Sequence, residues 1–127
     1  MQVYLEVTYR WNATAFVSVM CGGSIISPSF ILTAAHCVHY MNTVPVFARA
    51  FYNTTKASDG PNVWVEDMIH HPMFKWTTLS DDIALIKVEK PLSFDDHVRP
   101  VCLPNKRIHL DGKRAMVSGW GLTTESK

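Results

Sequence analysis

Short apolar runs, rich in β-branched and aromatic side chains and bounded by Gly, Pro, Asn or Asp, set the texture of this chain. They fall at residues 16–20, 24–26, 30–32, 46–51, 63–65 and 83–88. Runs of this length and composition predict strands rather than helices. The clearest breaks are Ser27-Pro28-Ser29 and Asp59-Gly60-Pro61-Asn62, both turn sequences. Several short strands at this spacing predict an all-β sandwich or barrel. Helical signal is confined to residues 34–37, which have the propensity for a single turn after a strand.

The texture changes after Pro91. Pro91, Pro100 and Pro104 recur too often for a central strand, so this stretch predicts an extended connector running over the surface. A last strand-like piece, residues 115–120, is followed almost at once by Lys127 and has few partners left in the sequence. Nothing repeats internally, and no low-complexity linker divides the chain.

Composition narrows the function classes. Apolar residues make up 47% of the 127 positions, ordinary for a globular protein and too many for a disordered one. Twelve Lys and Arg against eleven Asp and Glu leave a net charge of +1, which gives no electrostatic case for a nucleic-acid partner. No apolar run approaches the roughly 20 residues needed to cross a bilayer as a helix, so no membrane partner is expected. Met1 to Glu6 has neither a basic leader nor an apolar core of the signal-peptide kind. Asn12-Ala13-Thr14 and Asn53-Thr54-Thr55 fit the acceptor pattern for N-glycosylation, which favours an exported chain. Export without a leader in view predicts that the natural start lies upstream.

The candidate chemistry centres on His36, Asp82 and the cysteines Cys21 and Cys37. A histidine serves as a general base near neutral pH because its reference pKa is about 6.5. It needs its second ring nitrogen held by an acceptor, usually a carboxylate. Asp82 stands just before the apolar run 83–88 and is placed to be that acceptor; Asp81 competes one residue earlier. Spacing alone does not bring His36 and Asp82 together, and a histidine after two alanines is more often a packed core residue. Cys21 and Cys37 read equally as two buried thiols or as a disulfide, which would contribute roughly 3 kcal/mol on a chain-entropy estimate. The cysteines lack the short paired spacing of zinc sites, and His70 and His71, adjacent on a strand, face opposite ways. Neither a metal nor another cofactor is implied.

Six segments in order resemble the trypsin/chymotrypsin family of serine proteases. They are Cys21-Gly22-Gly23-Ser24-Ile25-Ile26, Thr33-Ala34-Ala35-His36-Cys37, His71-Pro72-Met73-Phe74, Asp82-Ile83-Ala84-Leu85-Ile86-Lys87, Arg99-Pro100-Val101-Cys102-Leu103-Pro104 and Val117-Ser118-Gly119-Trp120-Gly121. The resemblance implies a partial trypsin-like domain over residues 1–127. Within it, about 1–90 would form a six-stranded antiparallel β-barrel, the first of the family's two. About 91–114 would be the inter-barrel connector, and about 115–127 the first strand of a truncated second barrel. By the same resemblance His36 is the general acid–base and Asp82 fixes its tautomer. Cys21 and Cys37 form a disulfide, and Leu79, flanked by Trp76 and Phe74, shapes a substrate subsite. Cys102 matches a cysteine that in many relatives bonds to a separate propeptide segment, and here it is left to pair outside this sequence. An extracellular protein is implied.

The family's nucleophile lies in a Gly-Asp-Ser-Gly-Gly segment, and none of Ser18, Ser24, Ser27, Ser29, Ser58, Ser80, Ser93, Ser118 or Ser126 has that context. The oxyanion donors, the primary pocket and an Ile-Val-Gly-Gly-like start are absent as well. The expectation is therefore a serine endopeptidase in the complete parent protein and an inactive chain in isolation. Its partner is a polypeptide substrate or a chain supplying the missing barrel. The alternatives are half of a two-chain protease, or a non-catalytic homologue that binds protein. A solitary first barrel is also expected to expose apolar surface and to be marginally stable.

Overall fold

The computed structural model describes residues 2–40, 43–57 and 59–121. Six strands form a closed antiparallel barrel: β1 (Gln2–Arg10), β2 (Phe16–Ile25), β3 (Phe30–Thr33), β4 (Phe47–Phe51), β5 (Asn62–His70) and β6 (Ala84–Val88). One helical turn, α1 (Ala35–Val38), follows β3. Around the barrel the order is β1-β2-β3-β6-β5-β4, so closure rests on the long-range β1–β4 and β3–β6 pairings. The six-stranded barrel implied by the resemblance is thus present.

β1 contributes more residues to the buried core than any other strand. Val3, Leu5, Val7 and Tyr9 point inward between Gln2, Tyr4, Glu6, Thr8 and Arg10, and all four are buried. With Ile25, Ile31, Ile86 and Val88 they fill the interior, while Ala48, Ala50 and Ala84 keep it narrow. Fully burying each branched side chain is worth roughly 1.5–3 kcal/mol. A bulge between Val65 and Asp67 shifts the β5–β6 register and lets the strand curve.

The expected strand over 16–20 and that over 24–26 are one continuous strand, β2, running through Gly22-Gly23. The pair looks like a break but serves close packing. A Cβ on Gly23 would lie 2.7 Å from Ile31 Cγ2, 3.1 Å from the Leu32 carbonyl oxygen and 3.3 Å from Leu5 Cδ1. β1 was not among the expected strands and completes the six.

The stretch after Pro91 carries no regular element among the described residues, yet it does not lie wholly on the surface. Leu92 and Val98 are buried in the barrel's core cluster. Leu92 N–H donates to the Pro28 carbonyl at 2.7 Å, Val101 N–H to that of Ile25 at 2.7 Å, and Asp95 Oδ1 accepts from His97 and Val98 N–H. The expected strand over 115–120 does not form, because no strand edge among the described residues receives it. Instead Ser118 exchanges two hydrogen bonds with Gln2, and Trp120 packs edge-on against Tyr4, its indole N–H donating to the Thr55 carbonyl. Apolar surface is exposed at Met20, Leu103, Ile108, Leu110, Met116 and Val117.

Gly23→Ala is expected to destabilise the barrel by about 1–3 kcal/mol, since Ile31 is fully buried and has no room to turn away. Equilibrium denaturation in urea checks this, with a lowered midpoint at unchanged slope as the outcome.

Candidate active site

The site is built on α1. Ala34, extended at φ −90° and ψ 144°, turns the chain out of β3, and no side chain of its own caps the helix. Ala35, Cys37 and Val38 are buried, leaving His36 as the residue of the turn that faces outward. The β3–β6 register pairs Thr33 with Ala84. Two positions further along that register, Asp82 comes level with Ala35 at the start of α1, next to His36.

Both carboxylate oxygens of Asp82 are used on His36. Oδ1 accepts the His36 backbone N–H at 2.8 Å, satisfying a first-turn donor that has no partner within the helix. Oδ2 lies 2.6 Å from His36 Nδ1. An ionised carboxylate only accepts, so Nδ1 carries the proton and, in the neutral ring, Nε2 keeps its lone pair. The His36 side chain is 43% exposed and that of Asp82 21%, so the basic nitrogen is reachable while its partner is sheltered. Burial pushes the Asp82 carboxyl up. Hydrogen bonds from the His36 ring and backbone, the His36 charge and the Ala35 backbone outweigh it and hold the group below its ordinary value. Asp81, the competing candidate, sits at φ +55° and bends the chain so that Asp82 faces the helix; its own carbonyl accepts the Ile83 N–H at 2.9 Å.

Two further ties hold the turn. Cys21 of β2 and Cys37 of α1 are joined by a disulfide with Cα atoms 6.3 Å apart. Tyr9, at the end of β1, donates its hydroxyl to the Cys37 carbonyl at 2.6 Å. Burial pushes the Tyr9 phenol up to about 12 against a smaller opposing contribution from the Tyr40 backbone, so it remains a donor throughout the neutral range. Tyr9 was missed from sequence, although its inward place in the β1 alternation was the available signal. Donor atoms of Cys21, His36 and Cys37 lie within 4.8 Å of one another, but the two sulfurs are bonded to each other and offer a metal no thiolate.

The loop between β5 and β6 carries the candidate subsite residues. Leu79 is half exposed and left-handed at φ +53°, unusual for a branched side chain, and a Lys75–Ser80 bridge closes the loop beneath it. Trp76 packs edge-on against Tyr40 at 4.8 Å and Phe74 at 6.4 Å, while His39 stacks on His70 at 4.5 Å. Asn12 lies at the exposed β1–β2 hairpin tip, and Asn53 is exposed at φ +52° after β4. Cys102 is an exposed free thiol. Among the described residues no serine hydroxyl bonds to His36; Ser18, Ser80 and Ser118 are engaged with Thr8, Thr78 and Gln2.

The barrel thus presents an imidazole held by a half-buried carboxylate beside a disulfide, an arrangement consistent with a catalytic His–Asp dyad. The family described as Trypsin matches residues 2–127, and the chain belongs to that family. It is 33% identical over 126 residues to transmembrane protease serine 5 of Homo sapiens, covering 92% of this chain and 28% of that protein. Among solved structures it is similar to HL collagenase, with 34% identity and a TM-score of 0.72 over 83% of this chain and 42% of that one. It is also similar to an inactivated protease paralogue of the scabies mite, with 25% identity and a TM-score of 0.65, covering 81% of this chain and 40% of that one. The chain thus spans less than half the length of each of these relatives.

Two outcomes follow for the site. Tyr9→Phe leaves the buried Cys37 carbonyl without its donor and is expected to cost about 1–3 kcal/mol, read as a drop in the denaturation midpoint. Because the folded Asp82 carboxyl is held below its ordinary value of 3.8, its stabilisation is complete above that value. It is lost as pH falls through that value towards the lower folded one. Asp82→Asn is therefore expected to flatten the acid limb of the stability profile below about pH 4, measured by thermal unfolding across pH.

Proposed function

We propose that this chain supplies the general acid–base half of a serine endopeptidase. The observation that carries the reading is the two-oxygen grip of Asp82 on His36, which leaves Nε2 as an accessible base. In that role Nε2 takes the proton of a serine hydroxyl as it attacks a peptide carbonyl. Asp82 stabilises the resulting imidazolium, and His36 returns the proton to the departing amine. Leu79 and Trp76 border the substrate beside this pair. Cys102 bonds to a cysteine outside this sequence, in an extracellular protein.

The nucleophile and the oxyanion donors belong to a second barrel, carried by polypeptide beyond these residues or by a separate chain. In this reading residues 91–114 are the link to it. The absence of a Gly-Asp-Ser-Gly-Gly segment from the 127 residues supports this assignment, as does the lack of a serine hydroxyl bonded to His36 among the described residues. Losing even one oxyanion donor costs about 3–4 kcal/mol of transition-state stabilisation, and here neither donor is at hand. The same missing serine favours a second reading, a non-catalytic homologue that binds protein. Against it stands the retained His36–Asp82 pair, for which a binding module has no chemical need.

Purified chain is expected to show no His36-dependent turnover of broad peptide substrates, with His36→Ala as the control for contaminating protease. In a protein completed by a serine-bearing second barrel, His36→Ala is expected to lower kcat by on the order of 10⁴- to 10⁶-fold. Cleavage by the isolated chain that disappears in His36→Ala would overturn the assignment of the nucleophile elsewhere. A completed protein indifferent to His36→Ala would overturn the assignment of the base.

A further inference from the structure

The hairpin loop joining β1 to β2 is unusually well fixed for an exposed tip. Trp11 and Asn12 N–H both donate to the Ala15 carbonyl, at 2.9 and 3.3 Å. Arg10 reaches over the loop to donate from Nε to the Asn12 carbonyl at 3.2 Å and from its guanidinium to that of Ala13 at 3.0 Å. Within this frame Asn12 Oδ1 accepts twice from Thr14, from the backbone N–H at 2.9 Å and from the hydroxyl at 3.2 Å. Since the Thr14 N–H can only donate, the atom it meets must be the amide oxygen. The other end of the amide, Nδ2, is thereby turned outward, and it makes no hydrogen bond within the described residues. Asn12, Ala13 and Thr14 are all exposed.

We propose that Asn12 is an N-glycosylation site, with its oligosaccharide rooted on this fixed hairpin tip. The acceptor pattern Asn12-Ala13-Thr14 supplies the chemistry, and the exposed hairpin tip accommodates an oligosaccharide already attached when the barrel closes. In the transfer, Nδ2 attacks the anomeric carbon of a polyisoprenoid-pyrophosphate-linked oligosaccharide. The N–C bond forms, the bond from that carbon to the phosphate oxygen breaks, the lipid pyrophosphate leaves, and one Nδ2 proton is lost. The attached sugar stands beside Trp11, 74% exposed, and Phe16, 59% exposed. Trp11 also lines a cleft of about 610 Å³ with Tyr9, Val17, Val19 and Tyr40 and the polar Arg10, Ser18 and Thr43. A large hydrophilic group at this point screens aromatic surface that would otherwise favour self-association.

The proposal rests on an exported protein, so the test supplies the export. The full chain is expressed in eukaryotic cells behind a cleavable secretory leader, with Asn53→Gln introduced so that one acceptor pattern remains. Mass is read on total cell protein, because attachment does not depend on later folding or on release from the cell. The expected result is a single glycan removed by an endoglycosidase specific for N-linked sugars. It should be absent in the added Asn12→Gln or Thr14→Ala variants and retained in Thr14→Ser. An unmodified mass in the Asn53→Gln chain, or a glycan that survives Asn12→Gln, overturns the proposal. Because the leader is supplied, neither result bears on whether the natural protein is exported or is a protease.

Discussion

Asp82 grips His36 twice, once at the ring and once at the backbone, across 46 residues of sequence. The two bonds do different things. The backbone contact caps a one-turn helix that has no cap of its own, and the ring contact fixes which nitrogen carries the proton. Neither can be made unless β3 and β6 pair in the register that sets Thr33 beside Ala84. A slip of one residue would turn Asp82 to the other face of the sheet and leave the helix start and the imidazole unheld together. The chemistry of the site is in this sense a property of barrel closure.

The rest of the barrel serves that closure and stiffens the turn. Tyr9 from β1, Cys21 from β2 and Asp82 before β6 converge on a helix of four residues, three of which are buried. Small residues on β4 and β6 and the absent side chain at Gly23 let the strands approach closely enough for this convergence. A four-residue helix has no stability of its own in water, so its geometry is borrowed entirely from these neighbours.

Much of this was legible in the sequence, and the failures have physical causes. The all-β class, the single turn around His36 and the six ordered segments were all visible as local pattern. β1 lies outside the expected runs although its apolar residues recur at every second position, and the continuity of β2 through Gly22-Gly23 rests on a close approach to Ile31 that a neighbouring strand sets. The choice between Asp82 and Asp81 turns on a left-handed residue and on strand register, neither of which spacing encodes. The Tyr9 hydroxyl and the Cys37 carbonyl lie 28 residues apart, and nothing short of the closed barrel announces their bond. The expected strand over 115–120 failed for a different reason: local propensity was adequate, but a strand exists only with an edge to join.

The strap from Ser118 to Trp120 has a kinetic meaning. It ties Gln2 to a residue 116 positions away and reaches the loop after β4 as well, so it has no surface to dock on until β1 and β4 are already paired. Contacts of such sequence separation come late, after the loop-closure entropy of the barrel has been met. A contact absent from the folding transition state slows unfolding without hastening folding. Trp120 therefore acts as a latch on the finished barrel, setting how long the His36 site persists once assembled rather than how quickly it is reached.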